Sequence, residues 1–311
     1  MTEHSCNCHH HDEHEEPMKS PFEQAFEKFD FNFTDEQVSL AVRKMVEENR
    51  EKYNTKEVKC QCLGAVELTT LKVTDSQESV LKFTENVNKF ANEHPELPHL
   101  ATICVYPNFA KIVSTSLEAD GVEVACVSGG FPSSQTFMEI KTAETALAVH
   151  DGATEIDMVL NVGAFLSGDY ETCMEEIQEI KAATGGKPLK VILETGALKT
   201  AENIKKASIL AIYSGADFIK TSTGKIDPAA TLEAAYVMCQ TIKEYEAMAN
   251  TKIGFKAAGG IKNVAEAIDF YTVVREILGE EFIKSGLYRI GTSRLANLLV
   301  SDILGEEVKP F

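Results

Sequence analysis

The chain has 311 residues, 44% of them hydrophobic, and a formal net charge of −18. This size suits one large barrel domain or two ordinary domains, with enough apolar residues for a sizeable core. The negative charge argues against nucleic acid as a partner, because proteins that bind its phosphate backbone usually carry a basic face. No apolar stretch reaches the roughly 18 to 20 residues of a membrane span and no signal peptide is evident, so we expect a cytoplasmic protein that does not bind membranes.

The first segment, residues 1–20, is predicted to be a disordered tail, because it is acidic and shows no apolar periodicity. Cysteine and histidine are metal ligands, but their spacing in the tail does not match that of a structural zinc site. We therefore predict that the tail captures metal in vitro and that the protein has no catalytic metal. The side chains concerned are His4, Cys6, Cys8, His9, His10, His11 and His14.

The next segment, residues 21–62, is predicted to be a helical N-terminal extension. The tetrapeptide Thr-Asp-Glu-Gln that begins at Thr34 is typical of a capping box at the start of a helix. Val38, Val42 and Met45 follow with helical spacing. We expect this helix to pack on the main domain or on a partner.

The main domain, residues 63–311, alternates short apolar runs with amphipathic stretches of helical period. Eight such units close a (β/α)8 TIM barrel, which we prefer to a two-domain doubly wound fold because no linker divides the repeats. The predicted strands are 65–71, 100–106, 123–127, 155–160, 189–194, 216–221, 252–257 and 288–291. The predicted helices are 78–91, 109–117, 137–150, 170–184, 201–214, 230–247 and 264–278.

Two lysines lie near the ends of neighbouring predicted strands, where barrel enzymes build their active sites. Lys220 is close to the end of strand six and Lys256 is close to the end of strand seven. Because strand side chains alternate between faces, both amines can point into the barrel. Lys190 and Lys252 begin their strands instead, so we expect them at the bottom of the barrel or in solvent.

The lysine pair offers a way to make one amine nucleophilic. A lysine with its ordinary pKa of about 10 is protonated at pH 7 and does not attack a carbonyl, whereas a neighbouring ammonium and partial burial lower that pKa. We predict that Lys220 forms a Schiff base with a small carbonyl substrate, that Lys256 perturbs it and that Asp157, late in strand four, moves protons. The alternative is that the lysines form only structural ion pairs with Asp157 or Glu194.

Three loops rich in glycine and hydroxyl residues follow strands six, seven and eight. They read Thr-Ser-Thr-Gly-Lys at 221–225, Ala-Ala-Gly-Gly at 257–260 and Gly-Thr-Ser-Arg at 291–294. Such residues let backbone N–H groups approach an anion, and barrels often bind phosphate after strands seven and eight. With the charges of Lys225 and Arg294, the three loops predict a phosphate site.

Seven motifs occur in an order that resembles the deoxyribose-phosphate aldolase family, over a span from about Glu67 to Leu299. They are Leu-Thr-Thr-Leu at 68–71, Ile-Cys-Val-Tyr-Pro at 103–107, Glu-Ile-Asp at 155–157, Ile-Leu-Glu-Thr-Gly at 192–196, Phe-Ile-Lys-Thr-Ser-Thr-Gly-Lys at 218–225, Gly-Phe-Lys-Ala-Ala-Gly-Gly at 254–260 and Tyr-Arg-Ile-Gly-Thr-Ser at 288–293. The resemblance implies a class I aldolase of deoxyribonucleotide catabolism that needs no metal or organic cofactor. Its reaction would be the reversible cleavage of 2-deoxy-D-ribose 5-phosphate to D-glyceraldehyde 3-phosphate and acetaldehyde. We also expect a homo-oligomer, with a dimer favoured.

Matched motif by motif, the resemblance implies that Lys220 forms the Schiff base, Lys256 perturbs it and Asp157 relays protons. The cysteine of strand two would lie near the substrate without being required by the chemistry. The expected substrate contacts are Cys104, Thr69, Thr221 and Glu67, and the expected phosphate contacts are Gly224, Lys225, Gly259, Gly260, Gly291, Ser293 and Arg294.

Three positions depart from the family pattern. Glu67 stands where the family commonly has aspartate, so one extra methylene could shift a contact with a substrate hydroxyl. Arg294 stands where a small hydroxyl residue is frequent, so it could strengthen phosphate binding or crowd it. The chain ends at Phe311 without the terminal tyrosine of some members.

Two other functions stay open at this level. A phosphosugar isomerase on the same fold would use Asp157 or Glu194 as a base and form no imine. A non-enzymatic metal-binding protein would act through residues 4–14.

Overall fold

A computed structural model of the chain describes residues 20–311. The predicted tail, apart from Ser20, and its metal-capture site lie outside the described residues. Eight parallel strands form a closed barrel in which each strand pairs with the next along the chain and the last pairs with the first. The predicted (β/α)8 barrel is therefore confirmed. The strands are β1 Val66–Thr69, β2 Thr102–Val105, β3 Glu123–Ser128, β4 Glu155–Val159, β5 Leu189–Ile192, β6 Phe218–Lys220, β7 Gly254–Ala258 and β8 Tyr288–Thr292.

The eight predicted strands all exist, and most are shorter than predicted. The apolar runs extend into loops that leave the barrel, so hydrophobicity alone overestimates the paired length. The prediction did not include α14, although its buried positions, Leu295, Ala296, Leu299 and Val300, follow a helical period. The helices are α1 Pro21–Phe26, α2 Asp35–Tyr53, α3 Lys56–Gly64, α4 Gln77–Glu93, α5 Ala110–Ser116, α6 Met138–His150, α7 Val162–Leu166, α8 Tyr170–Ala183, α9 Thr195–Leu198, α10 Ala201–Tyr213, α11 Leu232–Ala249, α12 Val264–Leu278, α13 Glu280–Lys284 and α14 Leu295–Leu304.

The helices before β1 pack on the outside of the barrel. At the start of α2, Thr34 and Gln37 exchange the two hydrogen bonds of the predicted capping box. The buried face of α2 lies against α11 and α12. Arg50 of α2 donates two hydrogen bonds of 2.6 Å to the carboxylate of Asp269. The extension is thus held to the barrel by apolar packing and by a bidentate ion pair.

Strand register brings the charged residues of the barrel interior together. The Cα atoms of Lys220 and Lys256 are partners across β6 and β7, and those of Asp157 and Lys190 are partners across β4 and β5. Register partners in a parallel sheet face the same side. None of the helices in residues 20–311 combines the length and the apolar character of a membrane span.

Candidate active site

The barrel interior contains a cluster that we call the buried network, and Asp157 is its centre. Its carboxylate oxygen Oδ2 accepts hydrogen bonds from Lys220 Nζ at 2.7 Å and from Lys256 Nζ at 2.6 Å. The other oxygen, Oδ1, accepts from Lys190 Nζ at 3.0 Å. None of these side chains is more than 4% exposed. The members of the network are Glu67, Glu155, Asp157, Lys190, Lys220, Lys256 and Arg289.

The lower part of the buried network contains the other two carboxylates. Glu67 pairs with Lys256, and its second oxygen lies 3.5 Å from Lys190 Nζ. Glu155 accepts from Lys190 at 2.5 Å and lies 3.4 Å from an Arg289 nitrogen. Arg289 also reaches Glu67 at 3.7 Å. Each buried charge therefore has an opposite charge beside it, as the cost of burying an ion demands.

The charges of the buried network balance only when Lys220 is neutral. The three carboxylates match the positive charges of Lys190, Lys256 and Arg289, and a proton on Lys220 would add an unmatched charge. Burial is the main cause that lowers the pKa of Lys220 below the ordinary lysine value; Asp157 opposes this effect and Lys256 adds to it. Lys220 thus has the lowered pKa that a nucleophilic amine needs.

The other two lysines behave in the opposite way. Burial disfavours their charge, but Asp157 and Glu67 outweigh it and raise the pKa of both Lys190 and Lys256. For the two carboxylates, burial is again opposed by the lysines, which lower the pKa of Glu67 and Asp157. At neutral pH these four groups are ionised, so only Lys220 among the three lysines is poised to lose its proton.

A cleft of about 510 Å³ opens above the buried network at the C-terminal ends of the strands. Lys220 is part of its lining, so the amine with the lowered pKa meets the cleft. No aspartate or glutamate of residues 20–311 is among the lining residues. In a chain with a net charge of −18, this cleft is a local positive site suited to an anion. We call the four other positive residues of the lining the cleft cations: Lys72, Lys225, Lys262 and Arg294.

The loops of the cleft offer backbone N–H groups as well as charge. The N–H groups of Gly224, Gly260 and Ser293 have no acceptor within the described part of the chain. They lie on the loops after β6, β7 and β8. Gly259 allows two of these loops to approach, because it has a φ of +83° and a Cβ there would lie 2.9 Å from the Cα of Gly224. The site can thus surround an anion with N–H donors.

The predicted site residues fall into two groups. The cleft lining contains Lys220 and the following expected contacts: Thr69, Gly224, Lys225, Gly259, Gly260, Gly291, Ser293 and Arg294. Lys225 Nζ also donates a hydrogen bond of 2.7 Å to the carbonyl oxygen of Leu71, which holds its ammonium group near the loop after β1. Asp157 and Lys256 lie below the cleft and reach it through Lys220.

Three expected substrate contacts are not in the lining, and each side chain is fully buried. Glu67 is held in the buried network by Lys256, outside the lining of the cleft, and its contact with a substrate hydroxyl stays a prediction. The hydroxyl of Thr221 exchanges hydrogen bonds of 3.0 and 3.2 Å with the backbone of Ala258, which ties β6 to β7. Cys104 packs with apolar residues of the barrel interior, and burial raises the pKa of its thiol.

For two charged residues the structure decides between alternatives that the sequence left open. Lys190 does not lie in solvent, because its register with Asp157 places it inside the barrel with three carboxylate neighbours. Glu194 does not pair with Lys220, because its carboxylate accepts hydrogen bonds from Thr223. Lys252 is exposed and precedes β7.

Two of the cleft cations, Lys262 and Lys72, were not predicted from the sequence. Lys262 comes two residues after Gly260, in the loop already predicted to bind phosphate, so extending that loop would have included it. Lys72 directly follows the Leu-Thr-Thr-Leu motif, but nothing in the motif indicates that it faces the same cleft. Within residues 20–311, no group of three or more His, Cys, Asp or Glu side chains is placed to hold a metal ion.

Comparison with known proteins matches residues 61–288 to the model of the DeoC/LacD family aldolases. The chain belongs to this family. A human protein named deoxyribose-phosphate aldolase is 40% identical over 248 residues, which cover 76% of this chain and 77% of that protein. A Bos taurus protein of the same name is 37% identical over 245 residues, again 76% and 77% of the two chains. The solved structure of an aldolase called QR15 is 32% identical and superposes with a TM-score of 0.64, covering 78% of this chain and 96% of that one.

Proposed function

We propose that this member of the family is a deoxyribose-phosphate aldolase. It cleaves 2-deoxy-D-ribose 5-phosphate reversibly to D-glyceraldehyde 3-phosphate and acetaldehyde through a Schiff base on Lys220. One observation carries the proposal: Lys220 is the lysine of the buried network whose pKa is lowered, and it also lines the cleft. The names of the human and bovine relatives support the choice of substrate.

The first stage of the reaction forms the imine. The neutral amine of Lys220 attacks the aldehyde carbon of the open-chain sugar phosphate, the hydroxyl formed there takes up one proton, and it leaves as water to give an iminium ion. Lys256 stays protonated because Asp157 and Glu67 raise its pKa despite burial. The positive charge of Lys256 disfavours protonation of the Lys220 amine, so the attacking lone pair stays available.

The second stage breaks the bond between the second and third carbons of the sugar. The hydroxyl on the third carbon loses its proton, the electron pair of the breaking bond moves into the iminium, and the third carbon leaves as the aldehyde of glyceraldehyde 3-phosphate. Protonation of the two-carbon enamine and hydrolysis then release acetaldehyde. Asp157, with Lys256 and a water molecule, transfers these protons, since its oxygen Oδ2 lies within 2.7 Å of both amines.

The phosphate binds at the loops after β6, β7 and β8. Unpaired N–H groups and the cleft cations on these loops support this role, because a dianion is best held by several donors and charges at once. Arg294 adds charge where the family often has a small hydroxyl residue. We expect it to strengthen phosphate binding, since its guanidinium has no acidic partner among the described residues.

The proposal includes a homodimer, in which α6 would contact the same helix of a second copy. Phe137 is 78% exposed, Ile140 56% and Leu147 63%, and these positions follow one face of the helix. Glu139 is the only acidic or basic residue among the exposed positions of 137–147. Glu144 lies between Ile140 and Leu147, but it is half-buried and accepts hydrogen bonds from Ser128 and from the N–H of Gly130, so little charge on this face opposes the approach of two strongly negative copies. Light scattering should give the mass of a dimer for the wild type and of a monomer for Ile140→Asp combined with Leu147→Asp.

Borohydride reduction in the presence of acetaldehyde, followed by peptide mass spectrometry, tests the proposed chemistry. We expect a covalent ethyl group on Lys220 and none on the exposed Lys252, which serves as the internal control. Failure to trap any adduct while a phosphosugar is isomerised would favour the alternative that needs no imine. An adduct on a different lysine would overturn the assignment of Lys220.

A further inference from the structure

Glu194 combines a strained backbone with a buried charge at the end of β5. Its φ and ψ are both 58°, in the left-handed region that L side chains rarely adopt, and its side chain is almost fully buried. Hydrogen bonds hold the chain on both sides of it. Leu193 N donates to Lys220 O and Thr195 N donates to Thr221 O, each at 2.9 Å. Such strain persists only where the surroundings determine it, and it is frequent at functional sites.

The carboxylate of Glu194 determines the fold of the loop after β6. Its oxygen Oε1 accepts the backbone N–H of Thr223 at 3.2 Å, and Oε2 accepts the hydroxyl of Thr223 at 2.5 Å. The same hydroxyl oxygen then accepts the N–H of Lys225 at 3.1 Å. The amides on both sides of Gly224 are therefore satisfied, while the N–H of Gly224 finds no acceptor in residues 20–311. Through Glu194, the amides of Thr223 and Lys225 hold the loop, and the amide of Gly224 between them is left for a ligand.

We propose that Glu194 is a positioning residue that holds residues 223–225 in the conformation that binds the phosphate group of the substrate. The inference rests on the proposed function for the identity of the anion. Glu194 itself is not in the lining of the cleft, so its negative charge lies behind the loop and does not meet the phosphate. Its position next to Lys220 O and Thr221 O also links the phosphate loop to the strand that holds the Schiff-base lysine.

Glu194→Gln tests the inference, because glutamine keeps the size of the side chain and loses one of the two acceptors. We expect KM for deoxyribose 5-phosphate to rise at least about 10-fold, the effect of losing one or two positioned hydrogen bonds. The cleavage of unphosphorylated 2-deoxyribose should change less than about 2-fold, and so should the rate at which acetaldehyde and borohydride modify Lys220. A residue with a merely structural role would not separate the two substrates.

Glu202→Gln is the matched control, because Glu202 is exposed on α10 and, within residues 20–311, forms its one ion pair with Lys206. It should leave both substrates unaffected. Glu194→Gly provides a second test if the glutamine variant does not fold, since glycine adopts the left-handed backbone without strain and lacks the carboxylate. It should lose the phosphorylated substrate selectively, as Glu194→Gln does.

Two results would overturn the inference: equal losses with both substrates, which would place Glu194 in the chemistry or in the fold alone, or no loss with either. Calorimetry with inorganic phosphate separates this inference from the proposed function. If the wild type showed no aldolase activity but bound phosphate at least about 10-fold more tightly than Glu194→Gln, the positioning role would stand and the function would fail. If both bound phosphate equally, the positioning role would fail whatever the activity.

Discussion

The buried network and the cleft cations are two sets of charges that lie a few residues apart in the sequence, and they are built differently. All members of the buried network lie on strands, where register fixes each side chain, and each has an oppositely charged neighbour. The cleft cations lie on loops and are exposed, and no carboxylate of residues 20–311 lines the cleft with them. The first set is complete without a ligand, whereas the second set lacks negative charge.

The difference teaches how chemistry and recognition are separated in this barrel. A buried ion needs an oppositely charged partner. Where positive groups outnumber the carboxylates, one positive group has no partner and loses its proton. Here that group is Lys220. Exposed cations cost little to keep unpaired and remain available to an anion. We therefore expect changes to the buried network to alter turnover, pH dependence and stability, and changes to the cleft cations to alter KM for a phosphorylated substrate.

The largest effect is expected for Lys220→Ala. The substrate then has no amine with which to form an imine, so turnover should fall by about 10⁴-fold or more. Because the remaining charges of the buried network balance, the variant should unfold within a few degrees of the wild type. Steady-state kinetics and a thermal melt measure the two effects. Full activity in a folded variant would contradict the role of Lys220.

Asp157→Asn should be the next most severe change, and it affects stability as well as turnover. The amide leaves three buried amines without their shared carboxylate, a loss that costs about 3–5 kcal/mol when a buried ion pair is broken. Turnover should fall by about 10²-fold or more, because proton transfer also depends on this group. Denaturant unfolding with Asp120→Asn as an exposed control measures the stability change. Unaltered stability would show that the buried network is not held by Asp157.

Lys256→Met should shift the pH profile rather than abolish the reaction at every pH. Lys256 lowers the pKa of Lys220, and its removal also leaves Asp157 free to stabilise the protonated form of Lys220. Both effects raise the pKa of Lys220, so the rise of kcat/KM with pH should move to higher pH. Profiles recorded from about pH 6 to 10 measure the shift, since an ordinary lysine titrates near the upper end of this range. A shift to lower pH would contradict the direction of the coupling.

Arg294→Ser should have the smallest effect, confined to binding. The variant restores the small hydroxyl residue that the family often has, and it removes one of the cleft cations. KM for deoxyribose 5-phosphate should rise by about 3- to 10-fold, the range for one exposed charge-assisted contact, with kcat little changed. Unphosphorylated 2-deoxyribose is the control, because its KM should not change. A lower KM for the phosphorylated substrate would show that Arg294 crowds the site.

The strand pattern alone was enough to predict the barrel and the inward direction of Lys220 and Lys256. The pattern placed Lys190 at the bottom of the barrel or in solvent, and it did not show that the amine reaches from the bottom to the centre of the barrel. A long side chain can cross that distance, and only the register with Asp157 reveals where its amine ends.

Sequence motifs also indicate which residues lie near one another without saying which of them face the cleft. Thr221 belongs to a motif of the site and Glu67 directly precedes another, but the hydroxyl of Thr221 bonds to the neighbouring strand and the carboxylate of Glu67 pairs with Lys256. Lys72 belongs to no predicted phosphate loop, yet it lines the cleft. These outcomes depend on how loops from several strands meet in space, which no local pattern records.

The central claim is that the charges of the buried network leave Lys220 as the amine that loses its proton. An NMR titration of protein with ¹⁵N-labelled lysine side chains measures the pKa of each amine directly. The resonances are assigned with Lys220→Ala and Lys256→Met. We predict that Lys220 titrates with a pKa below the ordinary lysine value, and that Lys256 keeps its proton over the whole pH range in which Lys220 loses its own. A Lys220 amine that titrated at or above that value, or after Lys256, would contradict the account.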